Sequence, residues 1–170
     1  MLHQVLGLSR KKPEKREPVE IEAVLDQSLS LLKYKFAKKQ IGVEKDLQSN
    51  LPKLQIDDSQ IGQVFTNLTV NAMDAMEPGG TLRFAISHHL EESARQQPYV
   101  QILVEDTGRG IPPEILAHVF EPFYTTKEKG LGTGLGLFIC YGIIEKHGGT
   151  MDVASAPGKG TQFKICLPVS

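Results

Sequence analysis

The chain has 170 residues, of which 40% are hydrophobic and 23% charged, and its formal net charge is −1 at pH 7. These values are typical of one globular domain, and the near-neutral charge argues against a dedicated nucleic-acid-binding protein. The sequence shows neither an apolar run of about 18 residues nor a signal-peptide pattern, so we expect a cytoplasmic domain without membrane contact. Cys140 and Cys166 lie in apolar runs, and we expect reduced core thiols rather than a disulfide or a zinc site.

Residues 1–18 differ in composition from the rest. The stretch "RKKPEKREP" holds five basic and two acidic residues, a net of +3, with two prolines. This composition is typical of a solvated linker. The preceding "MLHQVLGLS" has the pattern of the end of an amphipathic helix, which predicts a domain taken from a longer protein. We therefore expect a helix end and charged linker over 1–18 and one domain over 19–170.

The first half of the domain alternates between helical and strand patterns. Apolar residues at steps of three and four predict a helix over 20–39. A roughly alternating pattern predicts a strand over 41–47, followed by a second short strand in "NLPKLQID". Asp57, with Gln60 three residues later, predicts the N-cap of a helix that runs to about Met76.

The second half ends in paired strands. Alternating stretches predict strands in "TLRFAISHHL" and "YVQILVED", with a hairpin loop before the second. "PPEILAHVF" predicts a short helix, and a longer helix is expected from near Thr133 to about Lys146, ended by Gly148 and Gly149. "TMDVASA" and "GTQFKICLP" predict two closing strands around the turn "PGKG". This order favours an α+β fold with helices on one face of the sheet.

The stretch "GLGTGLGLFIC" has glycine at every second position from Gly130 to Gly136. It matches neither the P-loop pattern nor the dinucleotide-binding pattern. It is either a mobile surface loop or a loop whose backbone approaches phosphates. Because a helix is expected to open there, its first N–H groups would attract an anion.

Three polar residues share one face of the predicted helix that follows Asp57. Asn67 and Asn71 are four residues apart, and Asp74 is three further on. Asparagine is a weak helix former, so the pattern is either a solvated face or a pair of amides that reach into a site. An asparagine oxygen is a suitable ligand for Mg²⁺.

The segment "VEDTGRGIP" places a carboxylate at the end of a strand. Asp106 has the same parity as Val104, so it points as the core side chains point, and Gly108 and Gly110 follow. A carboxylate beside bare backbone suits an exocyclic amine such as that of adenine; an ordinary Asp-initiated turn is the alternative. Thr161 shares parity with core residues and either partners Asp106 or is a satisfied core threonine.

The segment "FEPFYTTK" precedes the glycine stretch. Aromatic residues, two hydroxyls and Lys127 before a flexible stretch have the form of a hinged lid with a phosphate-seeking end. A polar surface loop is the alternative.

Taken together, these segments resemble the catalytic, ATP-binding domain of bacterial sensor histidine kinases. That domain belongs to the wider superfamily of gyrase B, the heat-shock chaperone ATPases and MutL. "NLTVNAMDAM" resembles its N box, "EDTGRGIP" its first glycine box, "FEPFYTTK" its F box, "GLGTGLGL" its second glycine box and "GKGTQFKICLP" its closing glycine region. The resemblance covers about residues 19–168, and the "TTK" and "NAMDAM" forms are most similar to the nitrogen-regulation branch.

The resemblance implies a Bergerat-type fold, a two-layer α/β sandwich. Its mixed sheet is covered on one face by three helices, and a flexible lid closes over ATP. The implied cofactors are ATP and Mg²⁺. The implied partners are a dimerisation and phosphoacceptor domain and a response regulator receiver domain. The implied parent protein is a homodimer, and the resemblance is compatible with a parent that is membrane-anchored or not.

The resemblance also assigns roles to residues. It implies that Asn71 ligates Mg²⁺, that Asp106 binds the adenine amino group with Thr161 nearby, and that Asn67, Asn71 and Lys127 are catalytic. Asp74 is implied less directly, since many of these kinases have lysine there. The remaining nucleotide-binding positions line the base pocket or serve the lid and phosphates: Gly108, Gly110, Ile111, Tyr124, Thr125, Thr126, Lys127, Gly132, Thr133, Gly134, Leu135 and Gly136.

Position 67 bears on the chemistry. ATP-hydrolysing relatives have Glu four residues before the Mg-binding Asn, whereas Asn67 cannot act as a base at neutral pH. The resemblance therefore favours phosphoryl transfer to a protein acceptor. The alternatives are a superfamily ATPase that works as a conformational clamp, an anti-sigma-type serine kinase, and a non-enzymatic interaction domain.

The expected acceptor histidine is not found in a recognisable context. None of the five histidines is followed by Glu and then Pro, as the family's phosphoacceptor is: His3, His88, His89, His118 and His147. We therefore expect this chain to bind ATP with Mg²⁺ without phosphorylating itself.

Overall fold

The computed structural model describes residues 14–90, 97–124 and 134–169. In chain order the elements are β1 (Glu17–Val19), α1 (Ile21–Ser30), α2 (Lys33–Lys39), β2 (Gly42–Leu47), β3 (Leu54–Ile56), α3 (Asp58–Ala75), β4 (Thr81–His89), β5 (Tyr99–Asp106), α4 (Pro113–Leu116), α5 (Gly136–Lys146), β6 (Thr150–Ser155) and β7 (Thr161–Pro168). Within these residues no helix combines the length and the apolar character needed to cross a bilayer.

The larger sheet of the described strands has the order β2-β4-β5-β7-β6. β2 and β4 run parallel, and the other neighbouring pairs are antiparallel. The parallel pair needs a crossover, which β3 and α3 provide. The sheet is therefore mixed, which confirms the predicted fold class.

The helices cover one face of this sheet. α3 packs between α1 and α5, and the core contains the apolar stripes of all three helices together with alternate residues of the strands. Phe65 of α3 meets Phe84 of β4 edge to face, with ring centroids 6.3 Å apart. Cys140 and Cys166 are both buried thiols, as expected of core cysteines.

A small second sheet joins the N-terminal segment to the domain. β1 pairs antiparallel with β3, with Glu17 opposite Ile56. The Lys15 N–H donates to Asp57 Oδ2 (3.3 Å), and the Arg16 guanidinium donates to the Lys146 carbonyl oxygen. The segment just before α1 therefore contacts the start of α3 and the end of α5.

Asp57 caps α3 as the sequence predicts. Its Oδ1 accepts a hydrogen bond from the Gln60 N–H (3.1 Å). The Asp57 N–H itself donates to Nε2 of the buried His147 (3.1 Å), at the end of α5. The two helices are thus joined where α3 begins and α5 ends.

The continuous helix predicted over 20–39 is wrong: the structure has two helices there. Leu32 lies at φ −107°, ψ 1°, outside helical geometry, and its N–H bonds the Leu29 carbonyl in a tighter turn. Leu29, Leu32 and Phe36 remain buried on both sides of the break. The apolar spacing is therefore preserved although the hydrogen-bond ladder is interrupted.

α5 begins at Gly136, three residues later than predicted. Gly134 has φ +69°, a left-handed conformation that a right-handed helix excludes. Leu135 consequently occupies the N-cap position, without a side-chain cap. Thr133, the predicted start, lies outside the described residues.

Candidate functional site

Asp106 is the last residue of β5 and faces the helix side of the sheet, opposite Thr161 in the ladder with β7. Its carboxyl group is half-buried, and desolvation raises its pKa above the ordinary value of 3.8. Three contacts oppose this rise in pKa without cancelling it. The Gly108 N–H donates to Oδ1 (2.8 Å), the Thr161 backbone also donates a hydrogen bond, and the charge of Arg109 is nearby. The strand thus ends in a carboxylate that retains acceptor capacity at a partly dry position.

The loop after Asp106 is fastened to the C-terminal end of α3. The Arg109 N–H donates to the Ala75 carbonyl oxygen (3.0 Å), and Arg109 Nη1 donates to the Asp74 carbonyl oxygen (3.2 Å). A Cβ at Gly108 would lie 2.6 Å from the Ala75 oxygen, so only glycine allows this approach. The C-terminal end of α3 is therefore held next to the loop that follows Asp106.

The other side of the same loop is fastened to the turn between β6 and β7. The Gly158 N–H donates to the Arg109 carbonyl oxygen (2.7 Å). Gly110 has φ +74°, and a Cβ there would overlap the Ala156 carbonyl. The Ile111 N–H donates to Ser155 Oγ (2.8 Å). The segment 106–111 thus lies between α3 and the closing hairpin.

Thr161 is buried, as predicted, but its hydroxyl contacts Ser155: the two side-chain oxygens are 2.9 Å apart. Its link to Asp106 is the backbone hydrogen bond and the shared ladder position. Side chains that oppose each other in an antiparallel pair lie on the same face of a sheet. The Thr161 and Asp106 side chains therefore lie on the same face of the sheet, at paired positions.

The three polar residues of α3 occupy different surroundings. Asn67 Nδ2 lies 3.5 Å from the Gly136 carbonyl oxygen and 3.7 Å from Cys140 Sγ, so this amide contacts the first turn of α5. Asn71 is half-buried, one turn before the Ala75 carbonyl that anchors the loop, and Asp74 is exposed. Burial raises the pKa of the Cys140 thiol to about 11, so this thiol stays protonated beside Asn67.

The two ends of the predicted lid meet. A Cβ at Gly134 would overlap the backbone of Phe123, so glycine is required where the chain returns to the F box. Tyr124, Leu135 and Gly136 lie at these ends. The other predicted lid residues lie outside the described residues: Thr125, Thr126, Lys127, Gly132 and Thr133.

The described residues fit a purine nucleotide better than a metal ion bound by protein alone. The Asp106 carboxyl group accepts the Gly108 N–H and keeps further acceptor capacity at the end of its strand, which suits a ligand that bears an amino group. In 14–90, 97–124 and 134–169 no group of three or more His, Cys, Asp or Glu side chains could hold a metal ion. Mg²⁺ bound by one amide oxygen, with phosphates and water completing its shell, agrees with that donor set.

Two residues that the sequence analysis did not select take part in this site. Ser155 shares parity with the inward-facing Met151 and Val153, and this pattern could have identified it. Arg109 gave no such signal, because its role depends on two carbonyl oxygens at the end of a distant helix.

Comparison with known proteins agrees with this geometry. A family profile described as "Histidine kinase-, DNA gyrase B-, and HSP90-like ATPase" matches residues 56–170. The chain is 42% identical to the sensor kinase CckA of Brucella abortus (strain 2308), over 99% of the chain and 18% of that protein. It is 37% identical to the sensory histidine kinase/phosphatase NtrB of Rhodobacter capsulatus, over 100% of the chain and 48% of that protein. The chain thus spans less than half of each relative, and the NtrB match agrees with the nitrogen-regulation-like branch.

Solved structures show the same fold. The mycobacterial sensor histidine kinase MprB superposes with a TM-score of 0.75 at 29% identity, covering 90% of this chain and 97% of that one. Full-length ShkA in complex with AMPPNP superposes with a TM-score of 0.77 at 28% identity, covering 92% of this chain and 31% of that one. Because the profile covers more than half of the chain, the chain belongs to the histidine kinase-, DNA gyrase B- and HSP90-like ATPase family.

Proposed function

We propose that the chain is the ATP-binding catalytic domain of a two-component sensor histidine kinase. It transfers the γ-phosphoryl group of ATP to a histidine of a dimerisation domain, from which the group passes to a response regulator. The observation that carries this proposal is the half-buried Asp106 carboxyl group, held between the end of α3 and the closing hairpin.

The adenine end of the nucleotide is assigned to the Asp106 loop. The carboxylate accepts a hydrogen bond from the exocyclic amine, and Thr161 stands beside it. Gly108, Gly110 and Ile111 form the surface against the base. A half-buried carboxylate discriminates between ligands, because a ligand that lacks a hydrogen-bond donor leaves the carboxylate without a partner.

The phosphate end is assigned to α3 and the lid. Asn71 supplies an amide oxygen for Mg²⁺, which neutralises phosphate charge when bound. The Gly136 carbonyl oxygen, at the N-terminal end of α5, lies 3.5 Å from Asn67 Nδ2. The start of α5 and the polar face of α3 are therefore neighbours. Lys127, Gly132 and Thr133 are proposed to complete the phosphate contacts.

Position 67 favours transfer over hydrolysis. Asn67 cannot accept a proton at neutral pH, and its amide is already directed at α5. A neutral histidine nitrogen attacks through its own lone pair: the N–P bond forms as the bond between the γ-phosphorus and the ADP oxygen breaks. Positioning and charge neutralisation are then the main contributions of the domain.

The partners follow from the same proposal. Residues 1–18 are assigned to the end of a dimerisation helix and a linker, and 19–170 to the catalytic domain. The relatives named as sensor kinases are longer than this chain, which is compatible with a separate phosphoacceptor domain in the parent protein. We propose that this parent is a homodimer. A response regulator is the proposed recipient of the phosphoryl group.

A labelling experiment tests this function. The chain is incubated with Mg²⁺ and ATP labelled in the γ-phosphate, alone and with the histidine-bearing dimerisation segment of its parent protein. We expect no stable label on the chain itself and acid-labile label on the added segment. Asn71→Ala should abolish the transfer, whereas Gln63→Ala, at an exposed position on the same helix, should not.

The alternatives give different results. Steady release of inorganic phosphate that Asn71→Ala abolishes, without label on the segment, would identify a clamp-type ATPase. Acid-stable label on a serine of a protein substrate would identify a serine kinase. Stable label on the chain alone would contradict the proposal that its acceptor lies elsewhere.

A further inference from the structure

The Ser155 hydroxyl has three hydrogen-bond partners at the end of β6. Its Oγ lies 2.8 Å from the Ile111 nitrogen, 2.8 Å from the Gly160 carbonyl oxygen and 2.9 Å from Thr161 Oγ1. These partners belong to the segment 106–111, to the turn between β6 and β7, and to β7. One half-buried side chain thus connects the three segments that surround Asp106.

Counting protons fixes the direction of these bonds. The Ile111 N–H only donates and the Gly160 carbonyl only accepts, while a serine hydroxyl has a single proton. If that proton went to Thr161, two oxygens with lone pairs would face each other at 2.8 Å at Gly160. The arrangement that satisfies every contact has Ser155 donating to Gly160 and Thr161 donating to Ser155.

Thr161 consequently has no proton left for Asp106. The two residues oppose each other in the β5–β7 ladder and share a face, with Thr161 almost fully buried. The Thr161 oxygen and the Asp106 carboxylate therefore form a pair of neighbouring acceptors. Such a pair favours a ligand that presents hydrogen-bond donors and disfavours one that presents a carbonyl oxygen.

We propose that Ser155 is a positioning residue for base recognition: by accepting the Thr161 hydroxyl proton, it keeps the Thr161 oxygen an acceptor beside Asp106 and thereby favours a 6-amino purine over a 6-oxo purine. This inference rests on the proposed function, in which adenine lies at Asp106. It assigns specificity to a serine that lies outside the binding positions that the sequence analysis selected.

Removing the hydroxyl has two expected consequences. In Ser155→Ala the Thr161 proton turns to the neighbouring Asp106 carboxylate and occupies the oxygen that would accept the amine. ADP affinity should therefore fall by about tenfold, the effect of one lost hydrogen bond to a charged group. IDP, which has a carbonyl at the same purine position, should lose much less affinity, because the Thr161 hydroxyl is now able to donate.

The test is a calorimetric titration of the whole chain with ADP and with IDP, each with Mg²⁺. Wild type should prefer ADP, Ser155→Ala should reduce that preference by about tenfold, and Ser155→Thr, which retains a hydroxyl, should restore it. Ser87→Ala is the matched control, since it removes a half-buried serine hydroxyl from β4 of the same sheet. Equal loss of ADP and IDP affinity in Ser155→Ala would mean a purely structural role and would overturn the inference.

A second variant keeps the test decisive if Ser155→Ala folds poorly. Thr161→Val removes the hydroxyl that Ser155 orients and leaves the Ile111 and Gly160 bonds of Ser155 in place. Its preference for ADP should also fall, and adding Ser155→Ala should produce little further fall, since both act through one hydrogen-bond chain. Additive effects on the ADP-to-IDP preference would contradict the inference.

The two proposals fail in different ways. If wild type binds neither nucleotide, or binds both equally, the adenine assignment fails and this inference fails with it. If wild type prefers ADP and every serine variant keeps the same preference, only the role of Ser155 is wrong.

Discussion

Individual glycines in the Asp106 loop are required for different physical reasons. Gly110 and Gly158 have almost the same backbone conformation, with φ +74° and +75°. A Cβ at Gly110 would overlap the Ala156 carbonyl, whereas a Cβ at Gly158 would meet nothing within 4 Å. The pair therefore separates backbone strain from close approach.

Gly110→Ala should cost about 3 kcal/mol of unfolding free energy, the sum of left-handed strain and overpacking. Gly158→Ala should cost only the strain, about 1 kcal/mol. Urea denaturation of both variants measures the difference. Equal losses would show that the loop 106–111 is not packed tightly against the closing hairpin.

Asp106 should oppose stability while it supports binding. Burial raises its pKa above the ordinary value, so the folded state holds this proton more tightly than the unfolded state. The carboxyl group therefore lowers the unfolding free energy as pH rises through the window above 3.8.

Asp106→Asn should remove that decline. From about pH 3.5 to about pH 7, the ligand-free variant should gain stability relative to wild type as pH rises. Denaturation curves at several pH values test this, with Asp152→Asn, at an exposed position of β6, as the control. If the variant became less stable than wild type as pH rises, the folded protein would stabilise the ionised carboxylate, which would contradict a pKa raised by burial.

At the scale of elements, α3 carries both the asparagines and the anchor for the base-binding loop, so its position decides the geometry of the site. Its start is fixed by Asp57. The Asp57 carboxylate accepts hydrogen bonds from the Gln60 and Lys15 N–H groups, and the Asp57 N–H donates to His147. Its end is fixed by Arg109. Both ends of the helix are thus tied to other segments.

Asp57→Ala should lower the unfolding free energy by about 1–2 kcal/mol through loss of the cap. Asp58→Ala removes an acidic residue from the same first turn without removing a capping bond and should cost less than about 0.5 kcal/mol. Thermal and urea denaturation of both variants provide the comparison. Similar effects would mean that helix-dipole charge, not the cap, dominates this end of α3.

Much of this architecture was predictable from sequence because the apolar periodicity and the cap are local signals. The cap at Asp57, the strands, and the inward direction of Thr161 depend on nearest neighbours in sequence. The break at Leu32 was not predictable, because burial of Leu29, Leu32 and Phe36 is compatible with both a continuous and an interrupted helix. Periodicity reports which face is buried, not whether the ladder is continuous.

The site was predictable in its residue types and less so in its connections. Asp106 and the glycines follow from motif and parity. The guanidinium of Arg109 bonds Asp74, 35 positions away, and the hydroxyl of Ser155 bonds Ile111, 44 positions away, and Gly160 in the following turn. Such partners are set by tertiary packing, which a single sequence does not report.

At the scale of the whole molecule, the site lies where three separate segments meet: the end of α3, the end of β5 and the β6–β7 hairpin. Phe123 and Gly134, at the two ends of the predicted lid, touch each other. The N-terminal segment contacts the start of α3, whose other end holds the Asp106 loop. It also contacts the end of α5, whose other end adjoins the predicted lid. The helix layer therefore connects the N-terminal segment with the loop that follows Asp106.

The most direct measurement is a calorimetric titration of the chain with ADP and Mg²⁺, repeated on Asp106→Asn. The account predicts one site in wild type and a loss of affinity of at least about tenfold in the variant, while the variant remains folded. Equal affinity in the two proteins would contradict the assignment of Asp106 to the base.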